Sequence, residues 1–367
     1  MDWHKWMYRL IPVFVFSSVA IPQSAFAEEV QVIGIQKHIL NQSDAEFCYG
    51  GSDYLNGEKE IQLLHVQLSN EAKKVLAQRA QDALMHANQF SLNASNNASL
   101  PDNIQLAMNK IPVLNQGIHG TCVTFAVTGA VDAILAKGDY ISQLCQLQLG
   151  SYLSKEGTGY NNWNGSIAQN VIQQMTQFGI VNKNNQHSVG CGGLYHYPKN
   201  TAHSDDSYME TSQFQALSEP VFGTKVTWSN LPVSLSSTSE SDQMLTQVKE
   251  VLNEGDRLIF GVLLPRTDLG NTGAVGKHNT WFAKDSWVLT SAIATVASEV
   301  TSAHEMIITG YDDNAVATDT DGVKHTGLLT LRNSWGACNG YYGDFYMSYD
   351  YFKLLAYDVK RLSPVHV

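Results

Sequence analysis

No apolar run in the interior of the 367-residue chain is long enough to span a bilayer, so nothing past the first residues reads as a membrane helix. Positive charge is also short: 23 Lys and Arg stand against 34 Asp and Glu, a net charge of -11. That balance argues against nucleic acid or an anionic membrane as a main partner. Metal-ligand spacing is absent too, with no Cys-x-x-Cys and no His-x-x-x-His. The aspartates at 312–313 and 319–321 lack the glycine and glutamate positions of an EF-hand loop. The expectation is therefore no metal and no cofactor. No repeat of solenoid length occurs. Cysteine is scarce, five in all, and an odd number cannot pair completely.

What is present begins with the compartment. Lys5 and Arg9 precede an apolar stretch over residues 10–20, and Ala25-Phe26-Ala27 follows as a small-x-small site. A charged head, a short apolar stretch and such a site are the marks of a cleaved secretory signal peptide, residues 1–27. A secreted or periplasmic protein is expected, and oxidising compartments favour disulfides. Five cysteines then read as one reactive thiol plus four that could pair.

Residues 30–40 and 60–68 alternate as half-buried strands do, with Gly50-Gly51 and Asn56-Gly57 as turn dipeptides between them. Ser69 or Asn70 can cap a helix reaching about residue 88, its apolar face formed by Ala72, Val75, Leu76, Ala80, Ala83, Leu84 and Ala87. Residues 91–101 are small, polar and nearly repetitive, a linker by composition. The predicted division is a signal peptide (1–27), a hairpin-helix pro-segment or accessory module with its linker (28–100), and a catalytic domain (101–367). In that domain residues 122–137 read as a helix, apolar on most sides and stopped by Gly138. A second helix runs from Ser166 to Gly179, and strands follow at 257–264, 305–311, 328–332 and 345–347. Helices first and strands later indicate an α+β unit.

Three short stretches carry chemistry. In Gln116-Gly117-Ile118-His119-Gly120-Thr121-Cys122 a glycine-bearing loop delivers a cysteine to the start of an apolar helix. Unpaired N–H groups and the helix dipole favour a thiolate there, and the thiolate is the nucleophile. In Ala303-His304-Glu305-Met306 a histidine opens an apolar strand that runs into Gly310-Tyr311. In Arg332-Asn333-Ser334-Trp335-Gly336 a strand delivers an asparagine, whose amide oxygen can hold a histidine in one tautomer. Each stretch alone has a bland reading: a buried thiol, a satisfied histidine, a turn asparagine. Their order, Cys, His, Asn, makes a specific signal.

With these residues the sequence resembles the papain family of cysteine peptidases over roughly residues 110–350. Pro112-Val113-x-Asn115-Gln116-Gly117, Gly120-Thr121-Cys122, Phe125-Ala126, His304 with Gly310-Tyr311, and Asn333-Ser334-Trp335-Gly336 carry the resemblance. Gln177-Phe178-Gly179-Ile180-Val181 and Tyr342-Gly343-Asp344-Phe345 add to it. The resemblance implies a two-lobed papain-like fold, with a helical lobe, a β-barrel-like lobe and a cleft between them. It implies Cys122 as nucleophile, His304 as base, Asn333 as orienter and Trp335 as shield of the His–Asn bond. Gln116 would join the Cys122 backbone N–H in the oxyanion hole, and the substrate backbone would meet Gly165 and Ser166. It also implies a Cys145–Cys191 bridge, which leaves Cys48 and Cys338 as a second candidate pair.

Departures from the family pattern bear on specificity. His119 stands where the family has a second cysteine, and Val123 where it has tryptophan. Glu305 stands where a small apolar residue is usual, and solvent is its expected direction. Cys122 and His304 are 182 positions apart, more than papain-like chains require. The excess is assigned to loops at 231–242 and 267–303; the latter contains Trp281 and Trp287, lies directly before His304 and is expected to wall the cleft. The implied activity is peptide hydrolysis through an acyl-enzyme. Amidase, deamidase or transglutaminase action on a specific protein is the alternative on such folds. A degenerate, purely binding member fits poorly with a full Cys/His/Asn/Gln set. Protein or peptide substrates and a monomeric state are expected. The hairpin-helix module is expected to pack on the catalytic unit and limit access to Cys122, with processing in 91–101.

Overall fold

The computed structural model describes residues 29–41, 57–85, 100–158, 163–204, 206–235 and 240–365. The expected signal peptide, Cys48 and nearly all of the expected 91–101 linker lie outside the described residues.

The chain is α+β, as its element order predicted. Strands β1 (Val30–Asn41) and β2 (Glu58–Leu68) form the expected antiparallel hairpin, with a bulge at Val32/Gly34. Helix α1 (Asn70–Met85) follows, and the Ser69 hydroxyl accepts the Ala72 N–H at 3.1 Å. Ala72, Leu76 and Ala80 are buried as predicted, but Leu84 is 37% exposed. Arg79 is buried in place of a further apolar contact. Its guanidinium donates to the backbone oxygens of Ser234, Leu235 and Lys353 and so ties α1 to the body.

The sheet is organised on β7 (Ser302–Thr318), whose first ten residues are buried on both faces. Covered faces explain why this strand reads as an apolar run. β5 (Arg257–Leu263) and β8 (Lys324–Arg332) flank it, both antiparallel. β10 (Ala356–Pro364) and β4 (Val226–Asn230) extend the β5 side. β9 (Asp344–Ser348) and the short parallel β6 (Ser286–Trp287) extend the β8 side. β3 (Asn103–Gln105) also pairs with β7 and needs Gly310, because a side-chain carbon there would lie 2.3 Å from Ile104 O.

Helix α2 (Cys122–Leu135) packs across β7, β5 and β10 and is buried on nearly every side. It ends two residues earlier than predicted. Ala136 already takes the left-handed conformation (φ 53°), two residues before Gly138 (φ 74°), and its N–H bonds Asp132 O. The Asp132 carboxylate then accepts the N–H groups of Tyr140 and Ile141 and fixes the exit. Burial pushes that carboxyl up to about 7.

Helix α3 (Gln143–Lys155) is absent from the sequence reading, because it is buried on most sides and buried glutamines (Gln143, Gln146, Gln148) interrupt its leucines. Ser142 caps it by accepting the Cys145 N–H at 2.9 Å. With Trp163, Val181, Cys191, Met209 and Phe214 of α6 (Thr211–Gln215) it forms a second, separate core; α4 (Ala168–Phe178) turns its buried apolar face to the main core, and α5 (Lys183–Val189) lies beside α3 through the Ser142–Gln186 bond. Cys145 and Cys191 are disulfide-bonded inside that core. α7 (Glu240–Asn253) begins where the sequence suggested a polar loop. α8 (Ser291–Thr295) and α9 (Tyr349–Leu355) complete the set. Among the described residues no helix is long and apolar enough to cross a membrane.

Candidate active site

Cys122 is the first residue of α2, and Thr121 before it supplies no side-chain cap. The first-turn N–H groups are therefore left for the thiol, and the Cys122, Val123 and Glu305 amides all act to lower its pKa. Burial outweighs them and pushes the Cys122 thiol up to about 12.

His304 lies near the start of β7, paired across to Val262 of β5. Asn333 directly follows β8, and its N–H bonds Gly343 O at 3.1 Å. His304 Nε2 and Asn333 Oδ1 are 2.8 Å apart. An amide oxygen only accepts, so Nε2 carries the proton and Nδ1 is left as the basic nitrogen. Nδ1 is buried and has no hydrogen-bond partner among the described residues. Asn333 Oδ1 also accepts the Ser334 N–H at 2.7 Å, which fixes the amide. Burial lowers the His304 pKa to about 4, against a smaller opposing effect of Asn333.

Trp335 stacks on the imidazole, with ring centroids 4.7 Å apart and planes 27° apart. Trp287 and Phe345 back it edge-on. The expectation that 267–303 walls the cleft needs correction on this point. Trp287 is wholly buried behind the site, whereas Trp281 is 82% exposed.

Gln116 is wholly buried. Its Oε1 accepts the Ser334 hydroxyl at 2.8 Å, and its backbone N–H bonds Ser334 O. The same segment that carries Asn333 thus sets the amide's orientation. Nε2 donates to His119 O at 2.8 Å and to Gln62 O of β2 at 3.2 Å. His119 itself is packed among Trp163 and Tyr197, with Nε2 2.7 Å from Pro198 O. These contacts do not include His304. Among the described residues no group of three or more His, Cys, Asp or Glu could hold a metal ion.

The N-terminal hairpin lies over all of this. β2 pairs with the very start of β7, Leu64 opposite Ala303 and His65 opposite Ser302, and the Val66 N–H bonds Thr301 O. Lys59 Nζ, buried, donates to Trp335 O at 2.6 Å. On the opposite lobe, a side-chain carbon on Gly165 would meet Gly34 O at 3.1 Å and Leu64 at 3.2 Å. One on Gly120 would lie 2.2 Å from Ile35. The hairpin is thus seated against Gly165 (φ +98°), and Ser166 beside it is buried. Cys122 and His304 have no exposed surface at all.

Two sequence expectations stand corrected or extended. Glu305, expected to face solvent, is 2% exposed and neighbours Cys122. Its strand is covered by α2 on one face, and a pattern of alternating polarity could not reveal that. Lys59 and Gln62, which reach the site from β2, carried no motif and were not anticipated. Cys338 is disulfide-bonded, and Cys48, its expected partner, lies outside the described residues.

The fold is similar to those of several solved cysteine proteases. One is xylellain, a cysteine protease from Xylella fastidiosa: 18% identity, TM-score 0.45, covering 73% of this chain and 88% of that one. A recombinant stem bromelain precursor gives 15% identity and TM-score 0.43 over 81% and 93% of the two chains. Procathepsin L 3 from the larval midgut of Tenebrio molitor gives 15% and 0.42 over 74% and 72%. No family model matches the sequence, and no curated protein matches it.

Proposed function

We propose that the chain is an exported papain-like cysteine peptidase, made as a latent precursor, with Cys122 as nucleophile, His304 as base and Asn333 as orienter. The observation that carries this reading is the 2.8 Å His304–Asn333 bond, stacked under Trp335, on the strand that the Cys122 helix packs across. That geometry leaves one imidazole nitrogen unprotonated and sealed from water, as a base for a thiol requires. The Cys122 thiolate adds to the peptide carbonyl, and the imidazolium then protonates the leaving amine. Water, deprotonated by His304, next attacks the thioester and releases the acid. Gln116 Nε2 is held by Ser334 to receive the oxyanion, and in the closed form it contacts a backbone carbonyl, Gln62 O. A cleft that accepts the extended backbone of β2 by strand pairing favours a peptide over a small amide as substrate.

Latency is supported by the same contacts. Ile61, Leu63 and Leu64 of β2 are wholly buried, each worth about 2 kcal/mol relative to exposure. The hairpin also helps exclude water from Cys122 and His304, and burial favours the neutral form of each. It therefore blocks the cleft and discharges it together. Export is supported by the Cys145–Cys191 bridge and by the signal sequence of residues 1–27.

The test is a peptide-library cleavage profile of the chain after removal of residues 28–100, against the same material carrying Cys122→Ala. Cleavage that vanishes with Cys122→Ala is expected, a loss on the order of 10⁴-fold or more. Release of ammonia from one glutamine, with no peptide cut, would move the reading to deamidase.

A further inference from the structure

Tyr197 lies in the segment that follows the bridged Cys191, and its ring packs against the second core. Three consecutive residues of that segment reach the loop that ends in Cys122. The Tyr197 hydroxyl is 2.8 Å from Gln116 O, His119 Nε2 is 2.7 Å from Pro198 O, and the Ile118 N–H bonds Lys199 O at 2.9 Å. The approach is close, since a side-chain carbon on Gly117 (φ +59°) would lie 2.0 Å from Lys199 O. Residues 197–199 therefore form a cradle for residues 116–119, and Gln116 of the oxyanion hole sits in it.

A carbonyl oxygen only accepts, so the Tyr197 O–H donates its single proton to Gln116 O. Thr121 Oγ1 lies 2.9 Å from the same phenol oxygen, and it must then be the donor in that pair. A chain of two hydrogen bonds thus runs from Thr121 through Tyr197 to Gln116. Burial holds the phenol above its ordinary range, so it keeps the proton on which the chain depends. One end of the chain is the residue that bears an oxyanion donor, Gln116. The other end is the residue that precedes the second donor, the Cys122 N–H. Ser334 holds Gln116 from the opposite side, accepting its backbone N–H and donating its hydroxyl to Oε1. With Tyr197 on its carbonyl, both backbone groups of Gln116 are fixed, and so is the direction in which its side chain leaves.

We propose that Tyr197 is a positioning residue for the oxyanion hole, its hydroxyl setting the spacing between Gln116 Nε2 and the Cys122 N–H. It acts through Gln116 and Thr121. Charge on the carbonyl oxygen develops only in the transition state, so a displaced donor costs turnover more than binding. This inference rests on the peptidase reading, in which those two donors receive the oxyanion.

The protein is expressed as the full chain, processed by removal of residues 28–100, and assayed as parent, Tyr197→Phe, Thr121→Val and the double variant. Tyr197→Phe keeps the ring that packs on Trp163 and Phe125 and removes only the hydroxyl. In that variant kcat for a peptide should fall about 10- to 10²-fold, with KM within about twofold of the parent. The Ki of a peptide aldehyde, whose thiol adduct places its oxygen in the same hole, should rise by a similar factor. Alkylation of Cys122 by iodoacetamide forms no oxyanion, so its rate should stay at the parental value. Thr121→Val should show the same pattern more weakly. The double variant should be no worse than Tyr197→Phe, which already removes both bonds. An unchanged kcat in Tyr197→Phe, or an alkylation rate that falls as far as kcat, overturns the positioning role and leaves the peptidase reading standing. Should Tyr197→Phe fail to fold, Thr121→Val decides by the same two criteria. A parent that is alkylated at Cys122 yet cuts no peptide overturns the peptidase reading and this inference with it.

Discussion

The two walls of the cleft are built on different principles. The wall that carries Cys122 is helical, and its second core is laced with buried amides: Gln146, Gln148 and Gln174 have no exposure and bond one another or nearby backbone. A covalent bridge, Cys145–Cys191, pins that core. The wall that carries His304 and Asn333 is a ladder of antiparallel strands with aromatic rings behind it. Buried amides are satisfied only in one arrangement, so the Cys122 wall is specified by particular partners. The His304 wall is specified by register, which each strand inherits from its neighbours. The cleft thus joins a wall that fails one bond at a time to a wall that fails as a unit.

Breaking the bridge should expose this difference most. Cys145→Ala with Cys191→Ala removes a cross-link over a 46-residue separation and should cost about 3 to 4 kcal/mol, read as a lower urea midpoint. Hydrogen exchange in the double variant should rise in α3 and α5 and leave β7 and β8 nearly unchanged. Equal loss in both walls would erase the distinction. Gln116→Ala probes the joint between them, because Gln116 is bonded to Ser334 of the opposite wall. In the processed enzyme kcat should fall about 10²- to 10³-fold with KM little altered. An unchanged kcat would remove Gln116 from the oxyanion role.

Acid should loosen the seam under the hairpin. His304 is held at about 4 in the closed form, below the ordinary 6.5. A lowered value means the closed form is favoured fully above pH 6.5, and loses that advantage as pH falls towards 4. The span of about 2.5 units corresponds to about 3 kcal/mol. Exchange protection of β2 amides, corrected for intrinsic rates, should fall over that window, and His304→Gln should abolish the dependence. The smallest effect is expected at Lys59, whose ammonium donates to Trp335 O. Lys59→Met keeps most of the apolar stem, so Cys122 alkylation in the full chain should quicken only about tenfold.

Much of this site was legible because its chemistry is local. Cys122 with its loop, His304 opening a strand and Asn333-Ser334-Trp335 each occupy a few consecutive residues, and the structure brings His304 and Asn333 into contact. The hairpin was legible from period-2 alternation and its glycine turns. The missed elements share a cause, since their burial is decided from afar. α3 buries three glutamines among its leucines, and periodicity counts them as polar. Glu305 lies under α2, and Trp287 lies behind Trp335 across a gap of nearly fifty residues. Leu84 fits the helical stripe, yet the body it would face does not extend that far.

The pairing of β2 with β7 involves only Leu64–Ala303 and His65–Ser302, beside the outermost rung of that strand. Departure of the hairpin would turn those rungs into an open sheet edge, flanked by side chains that had been dry. Such an edge is a template for any extended chain, including a second molecule in the same condition. Ripening of the enzyme and its tendency to clump would then have one origin. A processed preparation should be kept dilute, or supplied with a competing extended peptide, to remain in solution.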